Sequence, residues 1–443
     1  MTVEHADSEP TEPSAGRPLR RPRDPFRFLI ELVNREGGVA RYRAGTEPAF
    51  LVSDPDLIKH VLADNSANYT KATAINSAFK RAIADGLLVS EGLVWRRQRR
   101  LMQPAFHRDR LSALAAQMTG ATTDLLERWD RAARSGEVVD MSREMSSLTL
   151  RITVKALFGT DIAEHVQTVG QRIAEALTIV VSPDQPTMAE HKRFVEDVLT
   201  EIIEDRLGGS EPSPDLLDML MEARDEETGE PMTRRELLDQ MLTLLLAGYE
   251  TTANALGWTW YLLSQNPGPD AALRAELGAV LGGRVPTVAD LPLLPYNRMA
   301  LEESMRLYPP AWILGRRALA DDRLGEHLIP AGSVVAISPA VTHRLSQHWE
   351  DPDRFDPERF TKERSTGRKP FAYFPFGGGP RLCIGHNFAM LEAQLIMATV
   401  AQRYRPRMVA GSIVEPQRLF VLRPRGGLPM TLEPTGIASF SPN

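Results

Sequence analysis

The segment from about Thr233 to Gln265 constrains the chain more than any other. It runs without proline for about 30 residues, well beyond the three or four turns of an ordinary globular helix. Through Leu242–Ala247 it is apolar on nearly every side, and it stops at Asn266-Pro267. A helix that is apolar all round must be buried, so the rest of the chain has to be built around it. Other stretches agree with a helical protein. Pro25–Glu36 reads as a first helix, and apolar positions recur at three- and four-residue spacing over 93–103, 109–135, 141–157, 163–181 and 189–207. Further helices are expected over 287–307 and from Gly385 to Tyr404. Strands are expected only in small numbers: a pair within Val39–Val52, short runs at 325–337, and a terminal hairpin turning at Arg425-Gly426-Gly427. The stretches 208–215 and 349–380 read as loop. The expected fold class is mainly α with small β-sheets.

Composition narrows the function. The 443 residues hold 52 Lys and Arg against 58 Asp and Glu, a net charge of −6. That balance gives no support for nucleic acid as a partner. No run approaches the ~20 apolar residues of a membrane span, and the N-terminus lacks the apolar core of a signal peptide. Residues 1–25, rich in Pro, Arg and acids, read as a disordered tail, and 26–443 as one domain in the cytoplasm without a membrane anchor. There is one cysteine, so no internal disulfide or multi-cysteine metal cluster can form.

That cysteine, Cys383, lies in FPFGGGPRLCIGHNFAMLEAQL, where a glycine-rich loop becomes apolar-periodic. Unpaired N–H groups and the positive end of a helix favour a thiolate there, and glycine lets backbone approach a flat ligand. On the residue alone, a buried structural cysteine or a redox thiol is the alternative. The surrounding string decides: Phe376, Gly379, Arg381, Cys383 and Gly385 stand at F-x-x-G-x-R-x-C-x-G. This resembles the haem-binding loop of the cytochrome P450 family.

The resemblance covers the chain from about residue 25, with further motifs in the family's order. Trp95 and Arg99 match W-x-x-x-R; Ala247, Gly248, Glu250 and Thr251 match A-G-x-[D/E]-T. Glu303 and Arg306 match E-x-x-R, and Arg359 lies in P-E-R-F. The resemblance implies the P450 fold, with haem between the long central helix and the cysteine loop and its following helix. It implies Cys383 as the axial ligand of haem b (iron protoporphyrin IX), with Phe376 packed on the sulfur and Gly385 in the loop. Trp95, Arg99, Arg381 and Arg316 would serve the propionates, with Arg317 as the rival of Arg316. Ala247 and Gly248 would leave room above the haem. Glu250 and Thr251 would relay protons, Thr252 being the rival hydroxyl. Glu303, Arg306 and Arg359 would form a structural network. His107, His343 and His348 read as ordinary polar contacts.

The activity so implied is oxidation of a lipophilic small molecule with O2, as a monomer. The sequence looks similar to soluble bacterial members that act on terpenoids or polyketides of secondary metabolism. Electrons from NAD(P)H would arrive through a ferredoxin or flavodoxin with its reductase, because no reductase domain follows. Arg96, Arg97, Arg100, Arg108 and Arg110 are the expected docking patch. Substrate would be lined by the 72–90 loop, the 176–188 region, Leu244, Ala247, Ala311, Trp312, Ile313, Leu314, Phe420 and Val421. Two other readings share these motifs: oxidative ring closure or coupling without oxygen insertion, and a non-enzymatic haem sensor, against which Glu250 and Thr251 argue.

Overall fold

The computed structural model describes residues 25–44, 47–83, 85–159, 185–209 and 215–436. Residues 1–24 of the expected N-terminal tail, the whole 163–181 helix and residues 176–184 of the proposed substrate region lie outside them. Helix α1 (Pro25–Glu36) leads into strands β1 (Val39–Ala44) and β2 (Glu47–Val52), and β3 (Tyr69–Thr70) follows. Then come α2 (Ala74–Ile83), α3 (Gly92–Met102), α4 (Ala115–Ser135), β4 (Val139–Asp140), α5 (Met141–Phe158) and α6 (Gln185–Leu207). The central helix is α7 (Arg234–Gln265), followed by α8 (Pro267–Leu281) and α9 (Pro295–Leu307). After β5 (Leu314–Ala318), β6 (Asp322–Leu324), β7 (His327–Ile329) and β8 (Val334–Ile337), a long irregular stretch precedes α10 (His386–Arg403). Strands β9 (Tyr404–Met408), β10 (Pro416–Arg418), β11 (Leu422–Pro424) and β12 (Pro429–Pro434) close the chain.

Helix α7 starts where a reciprocal cap fixes it. Thr233 Oγ1 accepts from the Glu236 N–H, and Glu236 accepts in turn from the Thr233 N–H. It ends at Asn266 because Pro267 starts the next helix. Between them it is buried from Leu237 to Leu263 except for a few positions, with Trp258 and Trp260 inaccessible. Burying one tryptophan or leucine stabilises by roughly 1.5–3 kcal/mol, so the all-round apolar character is what holds this helix at the centre. It packs on α5, where the Thr149 hydroxyl bonds the Tyr249 carbonyl at 3.0 Å. No helix among the described residues is long and apolar enough to cross a membrane.

The sheets are small. One has strand order β1-β2-β8-β5-β3, with β2 parallel to β8. A second, β4-β12-β9, ties the C-terminus to the start of α5.

Four sequence expectations need correction. The 287–307 segment is two elements, a 3-10 turn at Val288–Leu293 and then α9, because Pro295 cannot continue a helix already formed. Likewise 109–135 breaks after Ser112. The 72–90 loop contains α2. Arg425-Gly426-Gly427 does not turn a hairpin: β11 pairs back onto β10, and β12 pairs with β4 and β9.

Candidate active site

Cys383 lies three residues before His386, the first residue of α10. Its N–H donates to the Phe376 carbonyl at 3.1 Å, which closes the loop. Phe376 packs against the main core cluster. The sulfur is open to solvent yet deep in the protein, and that depth raises the thiol's pKa. The Gly385 N–H, then Arg99 and Lys71, act in the opposite direction and favour the thiolate.

The loop glycines are required for a reason the sequence does not show. A Cβ at Gly378 would meet the Phe371 ring at 2.2 Å, and one at Gly379 would meet the Leu62 carbonyl at 1.9 Å. Gly379 also has φ +64°. These glycines let the loop seat closely on protein.

Around the thiol, cations outnumber anions. On α3, Arg99 donates to the Leu382 carbonyl at 2.9 Å. Arg381 stacks 4.0 Å over Trp95 and pairs with Glu91 at 2.6 Å. Arg316 is 8% exposed, and burial beside Arg381 pushes it down to about 10. Arg317, its neighbour, turns to Glu47 and to the carbonyls of Ala72 and Gly332. The fourth cation escaped the sequence analysis. Lys71 donates through Nζ to the Leu88 carbonyl at 2.7 Å, and burial with Arg316 and Arg381 nearby pushes it down to about 7. No local pattern marks a lysine after a two-residue strand. Four cations thus meet one carboxylate, Glu91, whose Oε1 also accepts the Lys71 N–H at 2.7 Å. Buried charge needs a partner. A thiolate and a ligand with two carboxylates would balance this set, so the residues present fit a haem with its two propionates.

The face opposite belongs to α7. On this otherwise buried helix, Leu244, Ala247, Gly248 and Thr251 keep partial exposure. Their three- and four-residue spacing puts them on one stripe. The Thr251 hydroxyl donates to the Ala247 carbonyl at 2.9 Å. At Gly248 a Cβ would lie 3.3 Å from Thr153 Cγ2, so the missing side chain also admits α5. Glu250 is 9% exposed, and burial pushes it up to about 7 against the field of Arg423. Thr252 donates to the Gly248 carbonyl and neighbours Glu392, a wholly buried carboxyl on α10 whose pKa burial raises far above normal.

Phe420 meets Phe79 of α2 with ring centroids 3.9 Å apart, and both join the cluster that includes Leu244. Leu314 lies 3.9 Å from a Cβ position on Gly377. Val421 is buried in the β10–β11 turn. Trp312 and Ile313 go elsewhere. The Trp312 indole donates to the Leu419 carbonyl, and both side chains pack against the cluster around α1, which removes them from the expected substrate wall.

The network behind the loop is complete. Arg306 contacts Glu303 at 2.6 and 2.8 Å and three backbone carbonyls, those of His343, Pro352 and Arg354. Arg359 joins Glu303 at 3.3 Å. His343, read in the sequence as an ordinary contact, carries the network onward: its Nε2 accepts the Phe374 N–H at 3.0 Å. The basic patch shrinks, because Arg97 pairs with Glu236 and Arg100 pairs with Asp225 and Glu227. Arg96, Arg110 and Leu93, the last 79% exposed, remain exposed; the Arg108 side chain lies outside the described residues.

Comparison with known proteins gives one answer. Residues 18–429 match the family model described as Cytochrome P450. The chain is 39% identical over 441 residues to cyclooctatin synthase of Streptomyces melanosporofaciens, covering 95% of this chain and 94% of that protein. It is 34% identical to cyclooctat-9-en-7-ol 5-monooxygenase of the same organism, with 95% and 94% covered. Pentalenene oxygenase of Streptomyces avermitilis is 30% identical, with 92% of each covered. Among solved structures, a cytochrome P450DA heme domain superposes with TM-score 0.86 at 25% identity, covering 95% of each chain.

Proposed function

This chain belongs to the cytochrome P450 family and is a haem-dependent oxidoreductase, and we propose that it oxidises a cyclic terpenoid of secondary metabolism with Cys383 as the thiolate ligand of haem b. The observation that carries the assignment is a linked set of buried cations beside one thiol: Lys71 and Arg99 act on Cys383, and Arg316 and Arg381 lie beside them, with Glu91 as the carboxylate they share. The terpenoid reading rests on the similarity to cyclooctatin synthase and on the apolar residues beside Thr251, Leu244 with the Phe79–Phe420 pair. Residues 26–443 work as one catalytic domain.

The haem, when bound, supplies the activation of dioxygen. The chain's own residues do the rest. Cys383 would hold the iron as a thiolate, which the Gly385 N–H, Arg99 and Lys71 favour against the burial that raises the thiol's pKa. Lys71, Arg99 and Arg316 would hold the propionates, with Arg381 stacked on Trp95 and paired with Glu91 beside them. Leu244, Leu314 and Phe420 exclude water and orient an apolar substrate. Thr251 presents a hydroxyl on the stripe shared with Ala247, and Glu250, buried with an affinity near neutrality, gives it a proton and takes one back. Electrons reach the site from a ferredoxin or flavodoxin docked at exposed Leu93, Arg96 and Arg110.

The test uses cyclooctat-9-en-7-ol as probe, with a ferredoxin, its reductase and labelled dioxygen. A ligand-induced haem spectral shift and one labelled oxygen per product are expected; product without label would instead mark ring closure or coupling. In Thr251→Ala, binding should persist while most reductant is lost to hydrogen peroxide. Fully coupled turnover in that variant would remove the relay.

A further inference from the structure

Asp322 of β6 stands outside the site, yet three side chains from a distant part of the chain end on one of its oxygens. Oδ2 accepts from the Tyr69 hydroxyl at 2.6 Å, from His60 Nε2 at 2.9 Å and from Asn65 Nδ2 at 3.0 Å. Oδ1 takes the Arg323 N–H at 2.8 Å. A carboxylate only accepts, so His60 carries its proton on Nε2. Burial raises the pKa of this carboxyl, and the bonds from Tyr69, His60 and the Arg323 N–H outweigh it, so Asp322 lies below the ordinary carboxylate value. Hydrogen bonds to an ionised acceptor are roughly twice as strong as neutral ones. The three donors are therefore firmly tied to β6.

Each donor leads to a support of the site. His60 and Asn65 bracket a π-helical turn, His60–Asp64, closed by the Asn65 N–H on the His60 carbonyl at 2.8 Å. Turns this wide are rare and gather at functional sites. Midway along it lies the Leu62 carbonyl, against which Gly379 of the cysteine loop seats so closely that no Cβ fits. Leu62 and Tyr69 also share an apolar cluster with Phe374 of that loop. Tyr69 opens β3, whose pairing with β5 carries Lys71 to its place beside Arg316. That strand is only Tyr69 and Thr70, shorter than most strands. Its position needs a further tie, and the Tyr69 hydroxyl gives it one.

We propose that Asp322 is a positioning residue for the haem site: through His60 and Asn65 it fixes the turn on which the cysteine loop seats, and through Tyr69 it fixes the strand that delivers Lys71 to the propionates. The proposal rests on the reading of Cys383 and Lys71 given under the proposed function. Asp322 acts only through these two arms.

Two measurements on the holoenzyme separate the arms without turnover. Haem transfer to apomyoglobin reads Lys71, and the reduced-CO spectrum reads the thiolate. Tyr69→Phe should speed haem loss by about fivefold, short of the effect of Lys71→Met because β3 keeps its pairing with β5, and should leave the CO spectrum unchanged. In Tyr69→Phe/Lys71→Met, haem loss should match Lys71→Met alone, since the strand no longer has a cation to place. His60→Ala should convert a measurable part of the CO complex to a form without thiolate character. His60→Gln, whose amide still donates to Asp322, should restore it. Asp322→Ala should show both effects. A purely structural role would lower the melting temperature of these variants without coupling Tyr69 to Lys71. Additive losses in the double variant, or a wild-type spectrum in His60→Ala, would overturn the proposal, and neither result depends on Asp322→Ala folding. Unchanged haem loss in Lys71→Met itself would end the propionate reading of the lysine and the strand arm with it; the His60→Ala spectrum judges the other arm on its own.

Discussion

Arginines gather at two buried places near the cysteine loop, and the two clusters differ in how many of their donors the protein itself uses. Around Glu303, all five guanidinium N–H groups of Arg306 are taken, by one carboxylate and three backbone carbonyls. Around Cys383, Arg316 donates only to the carbonyl of Gly315, and Lys71 uses one of its three ammonium hydrogens, on Leu88. Nearly equal burial thus goes with opposite chemistry. A cation set whose hydrogen bonds are closed internally holds structure. A cation set left open and mutually repelling is arranged for an anionic ligand.

The largest effect on this contrast comes from the atom at the centre of the open cluster. Cys383→Ala should abolish the thiolate-type reduced-CO spectrum outright, since the chain has no second thiol to substitute. Retention of that spectrum would transfer the ligand role elsewhere and dissolve the comparison.

Next comes the closed cluster. Glu303→Ala leaves Arg306 and Arg359 buried with no carboxylate between them. Removing one partner of a buried pair costs about 3–5 kcal/mol, enough to unfold many domains. Thermal denaturation of the apoprotein should show this loss without haem being present. Glu303→Gln should lose less, because its amide oxygen still accepts. If both variants melt as wild type does, the network is not structural.

How much of this was legible in sequence differs between the clusters for a physical reason. Glu303 and Arg306 meet within one helical turn, and Trp95 and Arg99 share one face of α3, so the helix period puts each pair together, but only their order among the family's motifs singled them out. Cys383 stood at a loop-to-helix junction visible as a change of pattern. Lys71 was not legible, because it becomes a site residue only when β3 pairs with β5 and brings it beside Arg316. The same holds for Phe79, which acquires its place from Phe420 across the chain. Gly248, Gly378 and Gly379 each also admit a close protein neighbour that the sequence does not show. A glycine reports that a neighbour is close, and only the fold says whether that neighbour is a ligand, Thr153 or the Phe371 ring. Trp312 misled, since a large apolar side chain in sequence carries no direction.

A smaller effect should separate the closed cluster by pH. His343 is wholly buried, and burial together with Arg306 and Arg344 holds its pKa well below 6.5. In the folded chain it stays neutral and accepts the Phe374 N–H. In the unfolded chain it titrates near 6.5. Its contribution is therefore fully present above that pH and declines as pH falls, by about 1.4 kcal/mol for each unit. Denaturant midpoints of the apoprotein should fall between about pH 6.5 and 5, and His343→Asn should flatten that slope. An equal slope in the variant would assign the acid sensitivity to other groups.

The smallest effect is the most discriminating, because it compares two adjacent residues of the same type. Arg316 and Arg317 alternate on β5, so their side chains leave opposite faces of the sheet. Arg316 enters the open cluster; Arg317 is occupied by Glu47 and by two carbonyls. Arg316→Gln should weaken haem retention by about tenfold, as expected for one charge-assisted hydrogen bond of ~1.5 kcal/mol or more. Lys71→Met should do the same, and for the same reason. Arg317→Gln should change haem retention by less than about twofold, since a partly exposed ion pair contributes at most ~1 kcal/mol, and here to the fold alone. Haem transfer to apomyoglobin measures all three on one scale. Equal loss from Arg316→Gln and Arg317→Gln would mean that β5 as a whole, and not the one side chain beside Lys71 and Arg381, holds the propionate, and the distinction between open and closed donors would lose its meaning at this strand.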